Sequence, residues 1–282
     1  MIKAMLPIFL VFMLGSFGPA FAWPVTALVP SQPGLEAQAK ADAKGQTAQS
    51  ADGIDMLMTL LEPFEHLGLD MEMPQFFGSK RFPADYKSGD EAPPLANLLG
   101  DVEEIRYLNK KAWGANVALP EPGLYQFVLE GRPWWNEERK MYMHQQARVL
   151  VPVLGVENGW NLSFGQSFEI LPLNRPFGLT APALFSGRLL LDGNPLADIP
   201  VHMGRINTGS TTSLTPWHKF LEARSDDDGQ FSFVLSEPGW WYCEAAIKGA
   251  PLKGPDGEMR ELERSTVFWL YVDAPLEPKT RK

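Results

Sequence analysis

Cysteine is almost absent from this chain. Of 282 residues only Cys243 carries a thiol, so no intramolecular disulfide can form and no paired-cysteine zinc motif exists. Stability must therefore come from packing. Positive charge is also scarce: 25 Lys and Arg stand against 34 Asp and Glu, a formal net charge of −9. A nucleic-acid groove needs clustered Lys and Arg, so that class of partner is excluded. Beyond the first residues, no apolar run approaches the ~20 residues that a membrane-spanning helix requires. There is no Gly-x-Ser-x-Gly elbow, Gly-rich phosphate loop or HExxH pattern, which removes the usual signatures of hydrolases, nucleotide binders and metalloproteases. With four histidines and no visible nucleophile–base–orienter set, the chain is expected not to be an enzyme.

What is present points first to export. Lys3 precedes an apolar run from Met5 to Phe17, then Ala20-Phe21-Ala22. Charge, short apolar core and small-x-small ending predict a signal peptide over 1–22, and a periplasmic location for the remainder. The mature chain carries no expected transmembrane segment. Residues 34–53 contain no aromatic and little branched aliphatic content. Such a stretch cannot offset its ordering entropy, so a flexible loop or frayed helix is expected there.

After this stretch the pattern is that of strands. Short apolar runs are cut by Pro, Gly and Asp at intervals of roughly ten residues, which predicts an all-β fold of packed sandwiches. In Met141 to Val153, Met143, Ala147, Val149, Val151 and Val153 share one face. Tyr142, His144, Gln146 and Arg148 share the other. Asp192-Gly193 is a hairpin signal, and Asp226-Asp227-Asp228-Gly229 reads as a β-turn. Cys243 lies in the apolar run Trp240 to Ala246 and is expected to be a buried hydrophobe. A short helix is allowed only within Leu95 to Leu108. Two sandwiches in tandem are expected, over 23–175 and 182–275, with a tail at 276–282. The proline-rich stretch Leu171 to Pro182 serves as hinge, and the second sandwich is expected to fold alone.

The densest chemistry lies in Glu62-Pro63-Phe64-Glu65-His66, followed by Asp70-Met71-Glu72-Met73. Imidazole, carboxylate and thioether groups within twelve residues suit a borderline transition metal. His144 offers a second imidazole on a polar strand face. Methionines in a sandwich also serve as core filler, and a carboxylate-rich loop as a solvated edge, so both readings stand. Trp134 and Trp135 offer a different possibility, an aromatic platform for a glycan, peptide or protein partner. One of the two is expected to fill the core instead.

Several longer stretches carry a resemblance. Phe64-Glu65-His66, Asp70 to Pro74, Pro122-Gly123-Leu124-Tyr125, Pro133-Trp134-Trp135 and Met143-His144 are in register with it. So are Glu169 to Leu179, Asp192 to Leu196, Asp228 to Phe233 and Pro238-Gly239-Trp240-Trp241. Together they resemble the exported family called domain of unknown function 4198, in particular its NikK-like nickel-uptake members. The resemblance implies an N-terminal β-sandwich and a smaller immunoglobulin-like one, of the carboxypeptidase-regulatory or transthyretin-like type. It also implies a periplasmic accessory protein that captures Ni(II) or Co(II) for a membrane metal-transporter subunit. Where relatives expose an N-terminal histidine, this chain begins its mature part Trp23-Pro24-Val25, and Glu62 stands where relatives tend to carry histidine. The expected ligands are His66 and His144, with an oxygen from Glu62 or Glu65. His202 and His218 are expected to be ordinary surface or strand residues.

Overall fold

The computed structural model describes residues 24–35, 38–41, 47–50, 53–87, 89–209 and 211–276. The expected signal peptide, and all of the tail beyond Leu276, lie outside the described residues. The principal strands begin with β1 (Val25–Pro30), β2 (Ile54–Glu62), β3 (Leu67–Leu69), β4 (Phe76–Phe82) and β5 (Leu95–Asn97). Next come β6 (Glu103–Tyr107), β7 (Lys110–Val117), β8 (Gly123–Glu130), β9 (Met141–Val153), β10 (Phe168–Pro172) and β11 (Ala183–Leu191). The last are β12 (Pro200–Arg205), β13 (Leu221–Arg224), β14 (Gln230–Leu235), β15 (Gly239–Lys248) and β16 (Leu262–Asp273). No α-helix occurs among the described residues, and the all-β expectation holds.

Three sheets carry the architecture. The first runs β1-β2-β7-β6, with β3 on β2. The central one runs β13-β12-β15-β16-β9-β8-β4-β5, and the third joins β10 and β14 to β11. Within the central sheet the β9–β16 pair is parallel, from Tyr142↔Leu262 to Val149↔Trp269. Side-chain alternation then divides the sheet between two cores. Ala147, Val149, Val267 and Trp269 pack with the first sheet. Leu150, Phe268, Leu270 and Val272 turn the other way and pack with Phe168, Phe185 and Phe231 of the third sheet. Both sandwiches are thus built on one shared sheet. Relative to the expected division at 175–182, β10 lies on the N-terminal side yet pairs with β11 on the other.

The shared sheet explains a buried charge. Arg148, expected on a polar face, is only 2 % exposed, and its guanidinium stands 3.2 Å from Glu169 of β10. It also donates to the Leu162 carbonyl at 2.8 Å and lies over the Phe268 ring. Glu169 accepts further bonds from the Ser163 hydroxyl and the Phe164 amide. Burial pulls the guanidinium down to about 10, and the charge of Glu169 opposes this. The alternation of β9 is read correctly from the sequence, but its polar face is covered by the 154–167 connection and the third sheet.

Side chains also close a strand edge. The Gln145 amide accepts from the Thr26 amide at 2.7 Å and donates to the Pro24 carbonyl at 3.1 Å. Trp269 donates its indole N–H to the Thr26 carbonyl at 3.0 Å. The start of β1's edge, at Pro24 and Thr26, is therefore satisfied by side chains of the central sheet rather than by another strand, which blunts it as a template for pairing with a foreign chain. At the far end of β1, Ser31 donates its amide to the Asp55 carbonyl at 2.8 Å, and its hydroxyl accepts the Asp55 amide at 3.3 Å. These bonds close the base of the excursion between β1 and β2. The expected flexible insertion falls partly outside the described residues. Within its described parts, Leu35 is buried and bridges Val153, against the expectation of flexibility, and Gln38–Ala41 pairs with Thr47–Ser50 as an antiparallel ribbon rather than a helix.

Two further expectations meet corrections. The possible helix within Leu95–Leu108 is instead β5, a short 3-10 turn at Leu99–Asp101, and β6. β5 hydrogen-bonds to β4 and β6 to β7, so pairing to two different sheets overrides local propensity. The Leu171–Pro182 hinge is pinned as well: Leu179–Thr180 pairs with β16, and the Asn174 side chain bonds the backbone of Leu184 and Ser186. The turns behave as read. Asp192 and Gly193 both take positive φ, at 49° and 78°, the conformation that a two-residue hairpin demands. Cys243 is fully buried in the second core.

Because both cores share β9 and β16, the full chain is expected to unfold in a single calorimetric transition, without a separate second-sandwich step. Two resolved transitions would contradict this. Replacing Arg148 by Ala strands Glu169 in the interior and is expected to cost about 3–5 kcal/mol, read from urea unfolding.

Candidate functional site

β2 ends at Glu62, and Pro63-Phe64-Glu65-His66 turns the chain into β3. His66 takes a left-handed φ of 52°, which closes this tight hairpin. Facing it is the long connection 207–219 between β12 and β13. The two meet where the Asn207 amide donates to the Pro63 carbonyl at 3.0 Å, and Lys219 forms an ion pair with Glu65. Between them lies a cleft of about 750 Å³. Its floor and walls include Phe64, Glu65 and His66 on one side, and Thr208, Thr211, Thr212, Ser213 and Thr215 on the other. A smaller recess of about 350 Å³ adjoins it beside Phe220 and Trp241.

The connection 207–219 holds its shape through its own polar groups. The Asn207 side chain donates to the Thr211 carbonyl at 2.7 Å and accepts the Thr211 amide at 3.1 Å. Pro216–His218 forms a short 3-10 turn, closed by a 2.8 Å contact between the Thr215 hydroxyl and His218 Nδ1. This places hydroxyl groups along the cleft, whose Lys219 is already paired to Glu65. The cleft thus offers hydrogen bonds at little net charge.

The four expected ligands fall in two places. Glu65 and His66 line the cleft, with Glu62 directly before them on β2. Glu65 is taken by Lys219, and His66 Nε2 stands 3.2 Å from the Tyr107 hydroxyl. Burial, then the negative charge of Glu138, push the Glu62 carboxyl above the usual carboxylate range; Lys219 opposes this. His144 is held elsewhere. Its Nε2 lies 3.2 Å from the Glu130 carboxylate and 3.1 Å from the Gln75 amide nitrogen. Among the described residues, no three His, Cys, Asp or Glu side chains form a group able to hold a metal ion.

The other expectations are corrected in detail. Trp134 packs against the first core, as expected for one of the pair, but Trp135 is half-buried edge-to-face on Tyr142 rather than an open platform. Among the described residues the exposed tryptophan is Trp217, at 77 %. His202 is not an ordinary residue: carboxylates of Glu222 and Glu244 lie against its two ring nitrogens. Lys219 and the Asn207 amide are not foreseeable from spacing, because they meet Glu65 and the Pro63 carbonyl over a hundred residues away. The one available signal was the run of hydroxyl residues from Thr208 to Thr215, too polar for a strand and flanked by two.

Packed sandwiches on a shared sheet, with a hydroxyl-lined cleft among the loops, define an all-β sandwich protein. Residues 40–249 match the family described as Domain of unknown function (DUF4198), and the chain belongs to that family. No curated protein matches the chain. Among solved structures it is similar to the tandem V-type regions of VCBP3, a v-region-containing chitin binding protein. There the identity is 10%, the TM-score 0.24, and the match covers 86% of this chain and 99% of that one. The D00-D0 domain of Intimin matches at 11% identity and TM-score 0.19, over 86% of this chain and 99% of that one. BcpA, the major pilin subunit of Bacillus cereus, matches at 10% identity and TM-score 0.16, over 92% of this chain and 67% of that one. Similarity this low carries no inference about function.

The His144–Glu130 contact has a testable pH signature. The hydrogen bond from His144 holds the Glu130 carboxyl below its ordinary value, against a smaller opposing effect of burial. A depressed carboxylate stabilises the fold above its unfolded pKa, and that stability is lost as pH falls through the folded value. Glu130→Gln is therefore expected to flatten the acid limb of stability below about pH 4.5, measured by urea unfolding across pH. An unchanged limb would show that the contact contributes nothing.

Proposed function

We propose that this protein is an exported, periplasmic, non-catalytic binding module whose ligand seats in the cleft between the 62–66 hairpin and the 207–219 connection. The observation that carries this reading is the cleft itself, whose two walls come from distant segments and are clamped by Lys219 and Glu65. Five hydroxyl side chains point to hydrogen bonding as the mode of recognition. With its Lys219 already paired, the site suits a neutral, hydroxyl-rich ligand, of which a glycan is the leading class.

A second reading, capture of Ni(II) or Co(II) for a membrane transporter subunit, is supported by the crowding of negative charge at Glu62. Burial raises the Glu62 carboxyl most, and a cation beside it would relieve the repulsion from Glu138 and Glu65 that adds to this. Titration calorimetry of the mature protein separates the two, using a panel of neutral oligosaccharides and, in parallel, nickel and cobalt salts. Under the first reading an oligosaccharide binds, and Thr212→Trp, which fills the cleft, weakens it by about tenfold or more. Binding of metal alone, lost in Glu62→Gln and His66→Ala, would replace the first reading with the second. Binding of neither would overturn both.

A further inference from the structure

Where the cleft wall runs on into β13, an ionisable group meets Phe220 and Glu222. His202 sits on β12 directly opposite Glu222 on β13 and directly opposite Glu244 on β15. Its Nδ1 is 3.3 Å from the Glu244 carboxylate, and its Nε2 is 3.4 Å from that of Glu222. The Phe220 ring covers the imidazole with centroids 4.8 Å apart. His202 and Glu244 are both largely buried, their side chains 19% and 5% exposed.

The two carboxylates lie on opposite ring nitrogens, so one metal ion cannot bridge the three groups. A proton can. Neutral imidazole has a single N–H and would turn a lone pair towards one carboxylate; the imidazolium donates to both. The other ionisable groups nearby are accounted for. Tyr242, on the same face of β15, is a phenol that burial, then Glu244, push far above its ordinary value. Arg224, two residues beyond Glu222, is turned to Asp198 at 2.6 Å. Lys219 is engaged by Glu65, and His218 by Thr215.

We infer that His202 is a proton-operated clasp for the cleft wall: protonated, it ties β13 and Phe220 to the sheet, and neutral, it releases them. Phe220 borders the recess beside the cleft and follows Lys219 directly, so loosening it loosens the wall that bears the hydroxyl groups. Burial by itself would lower the pKa of His202. The hydrogen bond that His202 donates to Glu244 and the charges of Glu244 and Glu222 outweigh it and hold the pKa above the ordinary 6.5. A raised folded pKa means that the clasp contributes fully below the unfolded value and is lost as pH rises through the folded one. The consequence for ligand rests on the binding reading above; the clasp itself does not.

Hydrogen exchange of the ligand-free full chain tests it, read by mass spectrometry at about pH 6 and pH 8.5, either side of the histidine range, and corrected for intrinsic exchange. Protection of peptides spanning 207–221 is expected to fall several-fold between the two. His202→Gln should show the low protection at both pH values, while His144→Gln should behave as the parent. Should His202→Gln not fold, Glu222→Gln, at an exposed position, replaces it and should halve or further reduce the pH response. Protection independent of pH in the parent, or a full pH response in the variant that removes the clasp, would overturn the inference. Either result leaves the oligosaccharide and metal titrations to be judged separately.

Discussion

The parallel pairing of β9 with β16 is the constraint on which the rest depends. It joins strands more than a hundred residues apart and makes one sheet serve two sandwiches. A strand in this position has no solvent face, so both of its side-chain rows must pack. β16 meets that demand with Val267 and Trp269 on one side, and Phe268, Leu270 and Val272 on the other. β9 cannot meet it with apolar residues alone. Arg148 lies on its second face, and the fold accommodates the charge by bringing Glu169 of β10 onto it. The third sheet is thus tied to the seam by an ion pair as well as by packing.

Much of this was written in the chain. Alternation fixed the faces of β9, and Asp192-Gly193 marked the turn after β11 through two residues that tolerate positive φ. The uninterrupted apolar run from Val267 to Val272 carried a further message. A strand with one wet face alternates, whereas one without such breaks is buried on both sides. What the run could not say is which strand lies beside it. Parallel partners are not joined by a short turn, so nothing local records the β9–β16 register. For the same reason Leu95–Leu108 was misjudged. Its two halves belong to separate sheets, and an isolated reading treats them as one segment.

The site was legible only on one wall. Glu62, Glu65 and His66 are neighbours in sequence and were found as a cluster. The opposite wall, with Lys219 and Asn207, reaches them across the fold, and its pairing takes Glu65, one of the two carboxylates of the expected ligand set. His202 illustrates the same limit in another form. Flanked in sequence by Val201 and Met203, it has no ionisable company, yet strand register sets a carboxylate on each side of it. Chemistry that arises from register is invisible to spacing.

The hydrogen bonds between Ser31 and Asp55 have a consequence for how this protein can vary. They close the base of the β1–β2 excursion with backbone and hydroxyl groups of the two end residues. The register of β1 on β2 is therefore set below the excursion and not by anything within it. For a loop closed in this way, each doubling of length costs only ~0.6 kcal/mol. Leu35 and Ile54 lie inside these end residues but pack in the first core, and Leu35 bridges Val153. Relatives are thus free to lengthen, shorten or rewrite the stretch between Leu35 and Ile54 while the sandwich beneath stays the same. Differences among them in this stretch would record drift or partner choice, and not a change of fold.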